Sequence, residues 1–355
     1  MTLAPPIDTE STPADGLQRL LPQCRCIDIH THVVPEHFPP YARAAAHAAW
    51  PSIVPAQACH RHVMLSGKVY RTVSDRAWDV DRRLQDMAEQ RVAQQVLSPM
   101  PELLSYWLDG TDGAALCRFL NEQIAQMVAR APTRFIGLGA VPLQDMDRAI
   151  AELEFAVGDL GLAGVEIGTH VNGVVLGDAR LEPFFARAAA LGAAIFIHPL
   201  RPVGMERLIG PPNLEQIVAF PGETALSLAS LLTGGLLERH PTLRIAVSHG
   251  GGAFASLLPR LQHGWQTVPA LRERMTLPPI ATAQRLYYDS LVYDRLTLQH
   301  LIDRFGITQM CVGSDFPFVI AEADPVGRVQ ALALSDADQA LLLHGNARRW
   351  LGLAN

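Results

Sequence analysis

The segment IDIHTH, residues 27–32, decides how this chain is read. In a β-strand alternate side chains share a face, so His30 and His32 project together near the C-terminal end while Ile27 and Ile29 serve the other face. Two imidazoles so placed invite a metal ion, although a His-x-His pair by itself also suits ordinary hydrogen bonding to neighbours or solvent. Position separates the two readings. Three later apolar segments also end in residues of ligand type: FIHP with His198, VSHGGG with His249 and VGSDFP with Asp315. In a parallel barrel all strand C-termini meet on one face, so residues separated by more than a hundred positions can converge on one ion.

Composition narrows the classes. The 355 residues are 49% hydrophobic and 18% charged, enough for a large core and near the upper end of one α/β barrel domain. A net charge of −6 gives no basic footprint for a nucleic-acid partner. Cys24, Cys26, Cys59, Cys117 and Cys311 form no CxxC pair, so reduced thiols in a cytoplasmic protein are expected. The N-terminus lacks a basic start and an apolar core, and no run approaches the roughly 20 apolar residues of a membrane span. No membrane partner is expected.

Residues 1–24 read as a flexible leader and 25–355 as the barrel domain. Prolines interrupt 36–76, and HVMLSGKVYRTV suggests a hairpin around Ser66-Gly67, so this insertion after strand one is expected to cap the active site. From there helix and strand alternate. Helices are predicted at 79–90, 112–131, 145–160, 178–191, 222–239, 253–266, 294–305 and 335–351. Strands are predicted at 92–98, 135–141, 163–169, 193–198, 243–249, 286–292 and 309–315. Eight strands in this order call for a closed (β/α)₈ TIM barrel, because right-handed crossovers place the helices outside. A doubly wound open sheet is the alternative, but the glycine-rich turn it often carries after strand one is absent.

His30, His32, His198 and Asp315 offer three imidazoles and one carboxylate, a donor set that suits one Zn²⁺ with an exchangeable water, Mn²⁺ or another divalent ion being possible. Such an ion lowers the pKa of bound water and polarises a carboxylate or carbonyl. His249, running into Gly250–Gly252, is the expected proton-transfer group. Strand four, GVEIGTH, holds no lysine to bridge two metals; Glu166 could take that place, and one ion is the simpler reading. His170 at the same mouth is either a hydrogen-bond partner of the ligands or a plain loop histidine.

These residues resemble something known. IDIHTHVVPE, GKVYR, WDVDRRLQDM, FIHP, SHGGGAFASLLPRL, YYDS, GSDFPF and HGNARRWLGL together resemble the amidohydrolase superfamily, and within it the aminocarboxymuconate semialdehyde decarboxylase family. The resemblance implies a barrel with a small inserted subdomain, a single Zn²⁺ on His30, His32, His198 and Asp315, and a homodimer. It implies that His249 activates metal-bound water or shuttles its proton. It further implies that Arg71 and Arg260 bind the carboxylate of a small-molecule acid, Arg260 reaching the site from the neighbouring subunit. A planar guanidinium can hold a carboxylate through two parallel charge-assisted bonds.

The expected reaction is zinc-dependent, non-oxidative decarboxylation of an unsaturated or aromatic acid, either aminocarboxymuconate semialdehyde or a related intermediate such as a hydroxybenzoate. His249 takes a proton from metal-bound water, and hydroxide or a proton adds to the carbon bearing the carboxylate; either Asp315 or His249 protonates carbon. Departures bear on the substrate: Leu200-Arg201 follows FIHP where a close relative has Trp-Asp, and Val-Ile-Ala-Glu follows GSDFPF in place of a Pro-Leu-Gly-Glu type run. A metal-dependent hydrolase or hydratase, and a metal-binding protein without turnover, are the competing readings.

Overall fold

An uninterrupted run of buried residues from Cys26 to Val33 forms the first strand, β1, as expected of a parallel strand covered on both faces. The computed structural model describes residues 25–41, 49–211 and 213–353. The leader 1–24, part of the insertion at 42–48, and the last two residues lie outside the described residues. After β1 comes a three-stranded antiparallel sheet, β2 (Ser52–Pro55), β3 (His60–Leu65) and β4 (Lys68–Ser74). Ser66 and Gly67, both with positive φ, turn β3 into β4.

The remaining barrel strands are β5 (Val92–Pro99), β6 (Phe135–Gly139) and β7 (Gly164–Gly168), then, after a small hairpin of β8 (His170–Val171) and β9 (Val174–Val175), β10 (Ala194–His198), β11 (Arg244–Val247), β12 (Tyr287–Asp289) and β13 (Met310–Cys311). They pair in parallel in the order β1-β5-β6-β7-β10-β11-β12-β13. Parallel bridges Asp28–Val312 and Thr31–Phe316 then join the first strand to the last. That closure excludes the open sheet. Principal helices α1 (Val80–Glu89), α2 (Gly110–Arg130), α3 (Met146–Glu154), α4 (Glu182–Leu191), α5 (Phe220–Thr233), α6 (Phe254–Thr267), α7 (Arg295–Phe305) and α8 (Asn346–Leu351) fall between and after the strands. Aspartates start four of them: Asp79, Asp109, Asp145 and Asp294 each accept backbone N–H bonds in the first turn. No described helix is long and apolar enough to cross a membrane.

Three expectations need correction. Ile27 and Ile29 do not serve a face opposite the histidines; they join Val96, Leu138, Phe196 and Trp350 in one buried cluster, and the His30 ring lies 5.0 Å from that of Phe196. The register of β1 against β5 shifts between Asp28 and Thr31, so strict alternation fails there. The helix expected from 222 begins earlier, with a π turn at Glu215–Ala219 running into α5; Pro221, which has no N–H to donate, falls at the junction where the hydrogen-bond register changes. The last strand is also shorter than 309–315, since after Cys311 the chain turns through Gly313 to present Asp315.

The cluster under the histidines is sealed by α8. Trp350 is fully buried there, and its indole N–H donates to the Ile195 carbonyl at 3.3 Å. Trp350→Ala should cost about 3–5 kcal/mol, read as a lowered urea midpoint in equilibrium unfolding. A midpoint equal to that of the parent would show that the barrel floor does not depend on this side chain.

Candidate metal centre

Four ligand atoms, one each from His30, His32, His198 and Asp315, lie within 4.8 Å of one another, and all four residues are buried. His30 and His32 come from the end of β1, His198 from the end of β10, and Asp315 from the turn after β13. Backbone pairing sets the approach: Asp315 N–H donates to the His30 carbonyl at 2.8 Å, and His32 N–H to that of Phe316 at 2.7 Å. Gly313 makes the turn fit. A Cβ there would lie 2.7 Å from Asp289 Cβ and 2.9 Å from His30 Cβ, so any side chain would push the site apart.

The hydrogen bonds decide which nitrogens are free. His30 Nδ1 donates to Asp289 Oδ2 at 2.6 Å, His32 Nδ1 to the Pro99 carbonyl at 3.1 Å, and His198 Nδ1 to the Pro199 carbonyl at 2.9 Å. Each ring proton is thereby placed on Nδ1, leaving three Nε2 lone pairs directed inward. The His30 and His32 Nε2 atoms are 3.1 Å apart, and Asp315 Oδ1 lies 3.2 Å from His32 Nε2 and 3.6 Å from His30 Nε2. Asp315 Oδ1 is buried and receives no hydrogen bond among the described residues. Lone pairs and a carboxylate oxygen this close repel unless a cation lies among them, so the donor set fits a divalent ion.

The electrostatics agree. Burial and neighbouring histidines hold His198 well below its ordinary pKa, and burial lowers that of His32, so both rings are neutral ligands. Burial also disfavours a charged ring at His30, yet the Asp289 carboxylate outweighs it and lifts the pKa to about 9. The same contact makes the ring a stronger donor toward a cation. Burial pushes the Asp315 carboxyl up, but His32 and His30 more than offset it and hold it at about 2.

His249 stands at the edge of this group, its ring 5.0 Å from that of His198 and 5.1 Å from that of His30. Both His249 and Asp315 have left-handed backbones, with φ of 54° and 64°, as strained residues at functional sites often do. Burial, reinforced by His30, lowers the His249 pKa to about 4. The glycines after it are a packing requirement, since a Cβ on Gly252 would lie 2.2 Å from the Pro221 carbonyl oxygen. A cavity of about 290 Å³ opens beside the ligands His198 and Asp315, lined by these two and by His249, Arg71, Phe220 and Phe318 among others. Arg71 reaches it from β4, with its guanidinium 3.9 Å above the Phe318 ring.

Not every candidate joins the site. Arg260 is exposed on α6 and does not line this cavity. His170 serves the β8–β9 turn, accepting from Gly173 N–H and lying 3.1 Å from the Arg201 carbonyl, so it is the loop histidine rather than a partner of the ligands. Glu166 is fully buried, with Oε2 3.7 Å from His32 Nδ1, and lies outside the four-residue group; burial lifts its carboxyl to about 8. Sequence reasoning missed Asp289, which accepts from His30 Nδ1 and from the N–H groups of His249, Gly250 and Leu291. Its signal was a carboxylate closing the apolar run LYYD at a strand end.

The amidohydrolase family profile matches residues 27–353. This chain belongs to the amidohydrolase family. It is 36% identical over 331 residues to 2-amino-3-carboxymuconate-6-semialdehyde decarboxylase of Dictyostelium discoideum, covering 92% of this chain and 91% of that one. Among solved structures, 2,6-dihydroxybenzoate decarboxylase complexed with 2,6-dihydroxybenzoate matches with a TM-score of 0.71 at 26% identity, over 77% of this chain and 87% of that one. 5-Carboxyvanillate decarboxylase of Novosphingobium aromaticivorans, complexed with manganese and 4-hydroxy-3-methoxy-5-nitrobenzoic acid, gives 0.71 at 26% identity over 79% and 82% of the two chains. This amidohydrolase is a metal-dependent carboxy-lyase of the aminocarboxymuconate semialdehyde decarboxylase type.

Asp289→Asn should weaken divalent-ion binding by about 10–100-fold, since the amide cannot serve the same set of N–H donors. Competition with a chromophoric chelator measures this. An unchanged affinity would mean that Asp289 does not orient His30.

Proposed function

We propose that this amidohydrolase removes carbon dioxide from a small unsaturated or aromatic carboxylic acid, such as aminocarboxymuconate semialdehyde or a hydroxybenzoate. The observation that carries the reading is the shared cavity: two of the four ligand residues, His198 and Asp315, a histidine with its own buried carboxylate support, and an arginine all line one space of about 290 Å³. That volume suits one aromatic ring with its substituents. The relatives' names point to the same class of reaction, acting on an aminocarboxymuconate semialdehyde, a dihydroxybenzoate and a carboxyvanillate.

In this reading the ion is a single Zn²⁺, supported by three imidazole nitrogens and one carboxylate as donors. Manganese in the carboxyvanillate enzyme makes Mn²⁺ the alternative, and elemental analysis of protein purified without added metal decides between them. When bound, the ion supplies Lewis-acid polarisation of a substrate oxygen. Arg71 holds the substrate carboxylate, its plane fixed by stacking on Phe318. His249 holds and moves the proton. Ser248 Oγ lies 3.2 Å from Nδ1, leaving Nε2 for the cavity. A proton passes to the carbon that bears the carboxylate, which becomes tetrahedral; the bond to the carboxylate carbon then breaks, its electron pair restores the conjugated system, and CO₂ leaves.

The insertion 36–76 acts as the cap over this space, and the active form is a homodimer in the cytoplasm. Arg260 then reaches the neighbouring subunit's cavity to hold the substrate; its exposure on the helix that follows His249 supports this role.

His249→Ala should lower kcat by about 10²–10⁴-fold while the metal content stays at the parental level. Unchanged CO₂ release from the metal-loaded variant would remove His249 from the proton path. Arg71→Ala should act differently, raising KM for the acid about tenfold or more with a smaller change in kcat. Product analysis that finds hydrolysis or hydration without CO₂ overturns the decarboxylase assignment itself.

A further inference from the structure

The cavity contains a carboxylate that the reaction above does not use. Glu102 lies on the short turn Pro101–Leu104 that follows β5, and only 6% of its surface is exposed. It lines the same cavity as Arg71, His249 and Asp315. The Tyr70 hydroxyl donates to Oε1, and burial, with the Glu102 charge beside it, holds the Tyr70 phenol well above its ordinary pKa, so Tyr70 remains a donor. Glu102 Oε2 is buried and receives no hydrogen bond among the described residues.

A buried carboxylate oxygen without a donor costs free energy that a partner would recover. Glu102 forms part of the cavity wall, and much of the remaining wall is apolar: Phe220, Leu291, Val292 and Phe318. Resting on the carboxy-lyase reading of this cavity, we propose that Glu102 is a specificity-determining residue whose Oε2 accepts a hydrogen bond from an O–H or N–H substituent of the substrate. The substrate is then a hydroxy- or amino-substituted carboxylic acid. Its carboxylate goes to Arg71 and its donor group to Glu102.

The charges sort the ends of the molecule. Arg71 attracts an anion, whereas Glu102 repels one, so a second carboxylate cannot occupy the Glu102 end at little cost. A methyl ether or a tertiary amine placed there presents no proton and leaves Oε2 unmatched. Sites built to hydrogen-bond a substrate O–H or N–H discriminate more strongly against analogues lacking it than apolar pockets do. Tyr70 completes the arrangement by donating to Oε1, which leaves Oε2 as the carboxylate oxygen without a donor among the described residues.

The test compares positional hydroxybenzoates and aminobenzoates with their O-methyl and N,N-dimethyl counterparts, using the metal-loaded full chain. Both CO₂ release and calorimetric binding are measured. The parent should favour the best donor-bearing acid over its methylated counterpart by about tenfold or more in kcat/KM and in Kd. Glu102→Met roughly keeps the volume but presents no oxygen acceptor, and should bring that ratio close to unity; metal content and melting temperature report whether the variant is folded. A parent that shows no preference overturns the proposal without need of the variant. A preference that survives unchanged in folded Glu102→Met also overturns it, because the discrimination is then steric. If the parent binds these acids and releases no CO₂, the decarboxylase reading fails, and the Kd ratios alone decide the role of Glu102.

Discussion

The backbone seam between the first and last barrel strands is the constraint on which the rest depends. Ile29 N–H donates to the Val312 carbonyl at 2.8 Å, and the exchange continues through His30, His32, Asp315 and Phe316. These hydrogen bonds close the barrel and, in the same step, bring two histidines from one end of the sequence against a carboxylate from the other. A parallel barrel cannot close without placing strand C-termini together, so fold and ligand geometry are one event. His198 needs no separate device, since β10 delivers it to the same rim.

Buried charges hold both sides of this seam. Asp28 accepts from the Ser314 hydroxyl at 2.5 Å and from the Ser314 and His30 N–H groups at 3.1 Å, fixing the residue next to Asp315. Arg83, fully buried, donates to the His32 carbonyl at 2.6 Å and to Gln95 at 3.1 Å. Burial brings the Arg83 pKa down to about 9 and the Asp28 carboxyl up to about 7, so both groups bear the cost of leaving water. Apolar residues of similar volume often serve stability as well as or better than such charges. Their use here is placement: each fixes the backbone of a ligand or its neighbour, and Asp289 does the same for the His30 ring and the His249 backbone.

Much of this was legible in the sequence, because periodicity and strand-end residues report local structure directly. The apolar runs leading to His32, His198 and Asp315 were visible as segments closed by ligand-type side chains, and the alternation with helices required a barrel, although Asp315 itself lies in the turn after the last strand. What was not legible depended on contacts across the sequence. Asp289 looked like any strand-end aspartate until its four donors, drawn from β1 and from the turns after β11 and β12, were assembled around it. Ile27 and Ile29 turned inward because the register of β1 shifts, which no single strand announces. Glu102 sits in a Pro-rich turn without periodicity, and only the folded cavity reveals that one of its oxygens lacks a donor. Arg201 illustrates the same limit: standing where a close relative has an aspartate, it lies over the Trp107 ring at 3.4 Å, a contact set by two separate loops.

The spacing of the ligands along the chain also governs when the site can exist. His30 emerges from the ribosome early and Asp315 close to the end, so a nascent chain carries an incomplete ligand set through most of its synthesis. Until the final strand docks, the paired histidines are exposed to whatever ions the surroundings offer, without the carboxylate that completes the geometry. The four-ligand set is therefore complete only once the last barrel strand has docked and the turn after it has brought Asp315 to the rim.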